Sequence, residues 1–164
     1  LWSKSLEFLK FVEAPRACRE IFELATEIKD LAEKEQFLKQ SWRLLPPHEL
    51  SSSWDDYRRY IRSSKGEFTV AKDQYTRLHT GWFSDRSACY LAAGRPVITQ
   101  ETGFTQFYGG EEGLLAFSTL EDIVAAVTSV RGDYARHAVA AGEIAREFFE
   151  AEKVLASLLE RAGV

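Results

Sequence analysis

The sequence has no methionine, only two cysteines, three histidines and four prolines, and it contains no long apolar run. Each scarcity excludes something. The chain opens on Leu1-Trp2-Ser3 rather than on an initiator, so it is expected to be a piece of a longer protein that shares its function with a part not present here. Cys18 and Cys89 stand far apart without CxxC spacing. That excludes a disulfide framework or a thiolate zinc site, and a reduced, cytoplasmic setting is expected. His48, His79 and His137 lie in dissimilar contexts with no ligand spacing, so no metal site is expected. No segment approaches the ~20 apolar residues of a bilayer span, and none has the cation-led apolar start of a signal peptide. The net charge of −4 argues against a nucleic-acid surface. Gly109-Gly110-Glu111-Glu112-Gly113 lacks both GxGxxG and the Lys-Ser/Thr of a phosphate loop, and reads as a flexible connection.

What is present is an ordinary globular composition, 45% apolar and 28% charged, over a length suited to one domain, residues 1–164. Leu6, Phe8, Leu9 and Val12 recur at helical spacing after Ser3, a candidate N-cap, and Pro15 ends the pattern. Residues 21–28 fit a strand or a continuing helix, their brevity and the charged run after them favouring a strand, and Asp30–Gln40 reads as a helix with Leu31, Phe37 and Leu38 on its apolar face. Trp42–Leu45 reads as a strand cut off by Pro46-Pro47. Ser53 caps a helix over 54–62, and Glu67–Ala71 reads as a strand followed by a polar, aromatic loop over 72–84. Ser84-Asp85 opens a helix that Gly94 closes, and Pro96–Thr99 is the clearest strand in the chain. Thr119 and Asp122 form a capping box for a helix through Val130. A long helix from about 133 to 161 follows, with Ile144, Phe148, Val154, Leu155, Leu158 and Leu159 facing inward.

Alternating strands and helices predict an α/β, Rossmann-like parallel sheet with flanking helices and a long C-terminal helix. No strand precedes the first helix, so the first strand of the sheet is expected just upstream of Leu1.

In such sheets ligands sit beyond the C-terminal strand ends, near helix N-termini. One strand end leads through Lys72 to Ser84-Asp85-Arg86, placing two cations beside free helical N–H groups, a combination suited to a diphosphate. The next leads to Glu101-Thr102-Gly103-Phe104, a turn where backbone can approach a ligand. Trp82 and Phe83 offer an apolar wall. Each residue also has a plainer reading. Lys72 as a solvated lysine, Arg86 as a partner of Asp85 or Glu101, Asp85 as a dipole-stabilised helix start and Trp82 as a packing anchor would all satisfy the pattern.

The run Gly66–Lys72, then Gly81-Trp82-Phe83-Ser84-Asp85-Arg86-Ser87, then Tyr90–Phe104 with its Ala-Ala-Gly-Arg-Pro-Val-Ile-Thr, resembles bacterial GT-B glycosyltransferases of the spore-coat-like branch. The likeness spans roughly residues 57–160. It implies the C-terminal, donor-binding half of a two-domain enzyme, whose N-terminal domain would hold the acceptor. A nucleoside-diphosphate sugar would be gripped by Lys72, Trp82, Ser84, Asp85, Arg86, Glu101, Thr102, Gly103 and Phe104, with no metal or other cofactor, and the isolated half would bind without turning over. The chain departs from the family at the paired glutamates that hold the ribose, where Gly81 and Cys89 stand. Either Asp85 takes over that contact or the donor is held differently. The competing expectation is a non-catalytic α/β binding or scaffold module that kept the fold.

Overall fold

The computed structural model describes residues 4–163. Its helices are α1 (Lys4–Lys10), α2 (Ala14–Cys18), α3 (Leu31–Lys39), α4 (Pro47–Leu50), α5 (Trp54–Ser63), α6 (Asp73–Arg77), α7 (Asp85–Ala92), α8 (Thr105–Tyr108), α9 (Leu120–Gly132), α10 (Tyr134–Phe148) and α11 (Ala151–Ala162). Its strands are β1 (Glu23–Ala25), β2 (Arg43–Leu45), β3 (Glu67–Thr69), β4 (Val97–Gln100) and β5 (Leu114–Phe117). The fold is α/β, and every strand pairing is parallel. β1 pairs with β2 in one sheet, and β3, β4 and β5 lie in that order in another.

Residues along β3–β5 alternate between two cores. Phe68, Ile98, Leu115 and Phe117 face Phe11, Phe37, Ile123 and Val127 on one side. Val97 and Leu114 face Ile61, Tyr90, Leu91, Ala141 and Ala145 on the other. Burial on both faces is why β5, Leu-Leu-Ala-Phe, is apolar throughout rather than alternating. The first core continues over β1 and β2 through Leu24, Leu44 and Trp42. Around Trp42 gather the rings of Phe22, Phe37 and Phe8, at centroid distances of 5.4, 5.6 and 6.0 Å. Its indole N–H donates to the Val12 carbonyl at 2.7 Å.

Local signals account for several helix ends. Ser53 and Asp30 accept the N-cap bonds of α5 and α3. Gly94 ends the turn after α7 at φ 65°. Thr119 and Asp122 close a reciprocal capping box on α9. Thr119→Ala is therefore expected to lower stability by about 1 kcal/mol. Urea unfolding would register this as an earlier midpoint, whereas an unchanged midpoint would show that the cap contributes nothing.

The differences from sequence expectation have identifiable causes. Pro15 does not end a helix but starts one, since the first turn of α2 needs no N–H there. The expected cap Ser3 lies outside the described residues. Pro47 likewise opens α4, and α6 forms inside the segment expected to be a loop. The long C-terminal helix is broken at Phe149-Glu150, where Phe149 turns in to stack on Phe83 with ring centroids 5.3 Å apart. Beyond the break, Val154, Leu155, Leu158 and Leu159 are exposed instead of facing inward, as are Leu31 and Leu38 on α3. No helix among the described residues is long and apolar enough to cross a membrane.

Candidate functional site

The C-terminal end of β3 gathers positive charge. Arg86, on the first turn of α7, donates through Nε to the Glu67 carboxylate and through Nη2 to the Thr69 hydroxyl at 2.9 Å. The same hydroxyl accepts from Lys4 Nζ at 3.1 Å. Lys4 also sits 5.7 Å from the centroid of Trp82, within cation–π range. Trp82 in turn stacks on Tyr75, with centroids 5.1 Å apart and planes 8° from parallel. Burial and the nearby Arg86 and Lys72 charges hold the Lys4 ammonium down at about 8, even though Glu67 pulls the other way. Arg86 and Lys4 thus both feel one carboxylate, that of Glu67, which is buried.

Lys4 reaches this place because α1 is anchored by a polar chain beneath it. Buried Glu7 accepts from Lys10 at 2.6 Å and from Gln100 Nε2 at 3.1 Å, and Gln100 Oε1 accepts the Ala71 N–H at 3.0 Å. The start of α1 is thereby tied to the ends of β3 and β4. Sequence reasoning missed Lys4. Its one available signal was Glu7, a carboxylate inside the apolar run Leu6–Leu9.

The other candidate residues fall in several places. Lys72 is exposed at the N-cap of α6, close enough to Lys4 to depress its proton affinity. Ser84 is the buried N-cap of α7. Asp85 is exposed, and its carboxylate accepts the Arg86 backbone N–H at 2.8 Å, the local bond of a helix start. Glu101 folds its carboxylate onto the Gly103 N–H. Thr102 is buried and donates its hydroxyl to the Trp82 carbonyl at 2.6 Å, while its own carbonyl accepts the Gly81 N–H at 2.7 Å. Gly103, at φ 93°, lies so close to His79 that a Cβ would meet the His79 carbonyl oxygen at 2.9 Å. The turn at 101–103 therefore clamps the loop carrying Trp82. Phe104 is fully buried in the second core, its ring 5.6 Å from Phe83. Cys89 is exposed one helical turn beyond Arg86, with its thiol pushed up by burial and by Asp85.

The structure thus brings Lys72, Trp82 and Arg86 together with Lys4 and Thr69, and directs Thr102 and Phe104 inward. His137 is structural, its Nδ1 accepting the Gly113 N–H at 3.1 Å while Nε2 pairs with Ser129 Oγ at 2.9 Å. No group of three His, Cys, Asp or Glu among the described residues is arranged to hold a metal ion. What fold and site define is a parallel α/β domain with a cationic patch at a strand end. No protein-family model matches the chain, and no curated protein matches it.

Proposed function

We propose that this domain binds the diphosphate of a nucleotide sugar at the end of β3, as the donor-holding half of a glycosyltransferase whose acceptor is held by another domain. The observation that carries the reading is the convergence of Lys4 and Arg86 on the Thr69 hydroxyl, with burial first, and then the Arg86 and Lys72 charges, holding the Lys4 ammonium down at about 8. Cations clustered at a strand end in a parallel sheet favour a polyanion. The Trp82–Tyr75 stack supplies a flat apolar surface beside them for a base or sugar ring. In transfer, the cations would offset the charge developing on the leaving diphosphate. Glu67 fixes Arg86 in orientation and leaves its outer edge for the ligand.

Calorimetric titration with UDP, GDP and ADP tests this. Saturable binding of one of them is expected, with Lys4→Ala weakening it roughly tenfold or more, as for loss of a charge-assisted contact. Lys65→Ala, at the opposite end of β3, should leave it unchanged. Absence of saturable binding by any nucleotide would sink the proposal in favour of a scaffold module, a reading supported by the commitment of Arg86 to Glu67 and Thr69.

The pH dependence has a definite sign. A lysine held at about 8 when folded, against 10.5 ordinarily, carries fewer protons in the folded than in the unfolded chain between those values. Its contribution makes stability rise with pH across that window. A bound diphosphate returns the proton, so binding at about pH 8.5 should take up protons and weaken as pH climbs further. Calorimetry in buffers of different ionisation enthalpy reads this directly. Zero proton uptake would remove Lys4 from the site.

A further inference from the structure

A cavity of about 1210 Å³ separates the two sheets. Its walls are the chain from Glu20 to Thr26, including all of β1, and the chain from Ser63 to Phe68, including most of β3. Lys4, Phe8, Tyr57, Arg86, Ile98 and Val127 are among the other residues that line it. Among the described residues β1 pairs only with β2, and β3 only with β4. Each therefore presents an open edge, a row of backbone donors and acceptors that ordinarily demands a partner. The N-terminal approaches to the two strands lie together, with Glu20 and Lys65 paired at 3.1 Å. Phe22 and Phe68 meet on one face with centroids 5.0 Å apart. The open edges thus run in the same direction on either side of one slot.

We infer that this slot is the seat of a sixth parallel strand, supplied by the chain that leads into α1, which joins the two sheets in the order β2-β1-new strand-β3-β4-β5. Three features fix the occupant. The first is handedness. β1 reaches β2 through α3, whose Phe37 lies in the first core. The helices α1 and α2, which lead into β1, bury Phe11, Val12, Ala14 and Cys18 in that same core. A crossover of the same hand on the same face must step in the same direction. A strand before α1 therefore lies on the side of β1 away from β2, which is the slot. The second is polarity. Lys4, at the start of α1, bonds Thr69 at the C-terminal end of β3, so a strand parallel to β3 delivers its C-terminal end beside Lys4. The third is chemistry. Phe8, Phe22, Phe68 and Val127 wall one face of the slot, suited to β-branched side chains. On the other side buried Glu67 keeps its Oε2 without a hydrogen-bond partner among the described residues. About five residues, at ~3.3 Å each, span the strand walls.

Amide hydrogen exchange tests the inference by comparing the 164-residue chain with the same chain carrying Val-Ile-Val-Ala-Gly ahead of residue 1. Amides of residues 22–26 and 66–69 are expected to exchange at least tenfold more slowly in the extended chain, and its thermal midpoint to rise. A Val-Pro-Ile-Pro-Gly extension, lacking the ladder donors, should protect neither segment. Equal exchange with and without the strand extension, or equal protection by the proline extension, would overturn the inference. So would protection of the unextended chain that grows with protein concentration, since a second copy would then fill the slot. None of these outcomes depends on nucleotide binding.

Discussion

Trp42→Ala is expected to be the most damaging single truncation in this protein, lowering stability by about 3–5 kcal/mol. Trp42 is 3% exposed and lies at the centre of an aromatic cluster drawn from distant parts of the chain: Phe8, Phe22, Phe37 and Phe68. Deleting the indole removes those edge-to-face contacts together with the buried area, and leaves a void that rigid neighbouring rings cannot fill. It also strands the Val12 carbonyl, which now accepts the indole N–H at 2.7 Å, and an unpaired buried acceptor adds about 1–3 kcal/mol. Trp42→Phe should recover much of the packing but not the hydrogen bond, and fall between the two. Urea unfolding followed by far-ultraviolet circular dichroism separates the three proteins. Equal midpoints for Trp42→Ala and the parent would contradict the central position given to this ring.

A second large loss is expected at Gly113, for the opposite reason. Nothing is removed there, but there is no room for anything more. Gly113 has φ 72°, and an added Cβ would stand 2.3 Å from the Ala141 nitrogen and 2.7 Å from the Ala140 carbonyl carbon, both in the backbone of α10. Because those atoms belong to a helix rather than to a flexible side chain, relief requires moving α10 away from β5. The shift would also pull His137 from the Gly113 N–H. Gly113→Val combines left-handed backbone strain of about 1–3 kcal/mol with this overpacking, which costs a further ~1–3 kcal/mol. Gly109→Val, at the same φ of 72° but with open space around it, carries only the first cost and serves as the comparison. If the two variants melt together, the close approach of α10 has no energetic weight.

The parts of the fold legible in the sequence are those written in local chemistry. Ser53, Asp30, Thr119 with Asp122, and Gly94 mark their helix ends by hydrogen bonds or backbone angles that need only near neighbours. β5 was not legible as a strand, because four residues after Gly113 give periodicity nothing to work on. The stripe of Val154, Leu155, Leu158 and Leu159 was legible as amphipathic, but periodicity reports a face and not whether anything covers it. In the site, Arg86 was visible because it opens a helix after a strand. Lys4 was not, because its position depends on a bond between Glu7 and Gln100, residues 93 apart in sequence. The cation pair Lys72 and Arg86 could be guessed from strand ends, whereas the inward turn of Thr102 and Phe104 depends on which face of a short loop the second core claims.

The two sulfurs have a practical corollary. Cys18 is sealed in the first core with its thiol pushed up to about 11, and Cys89 is at the surface. A maleimide dye added under mildly alkaline conditions would therefore attach at a single address, with no engineering of the chain. That address is three residues along the same helix from Arg86, so the fluorophore's emission would report arrivals at the cationic patch in real time.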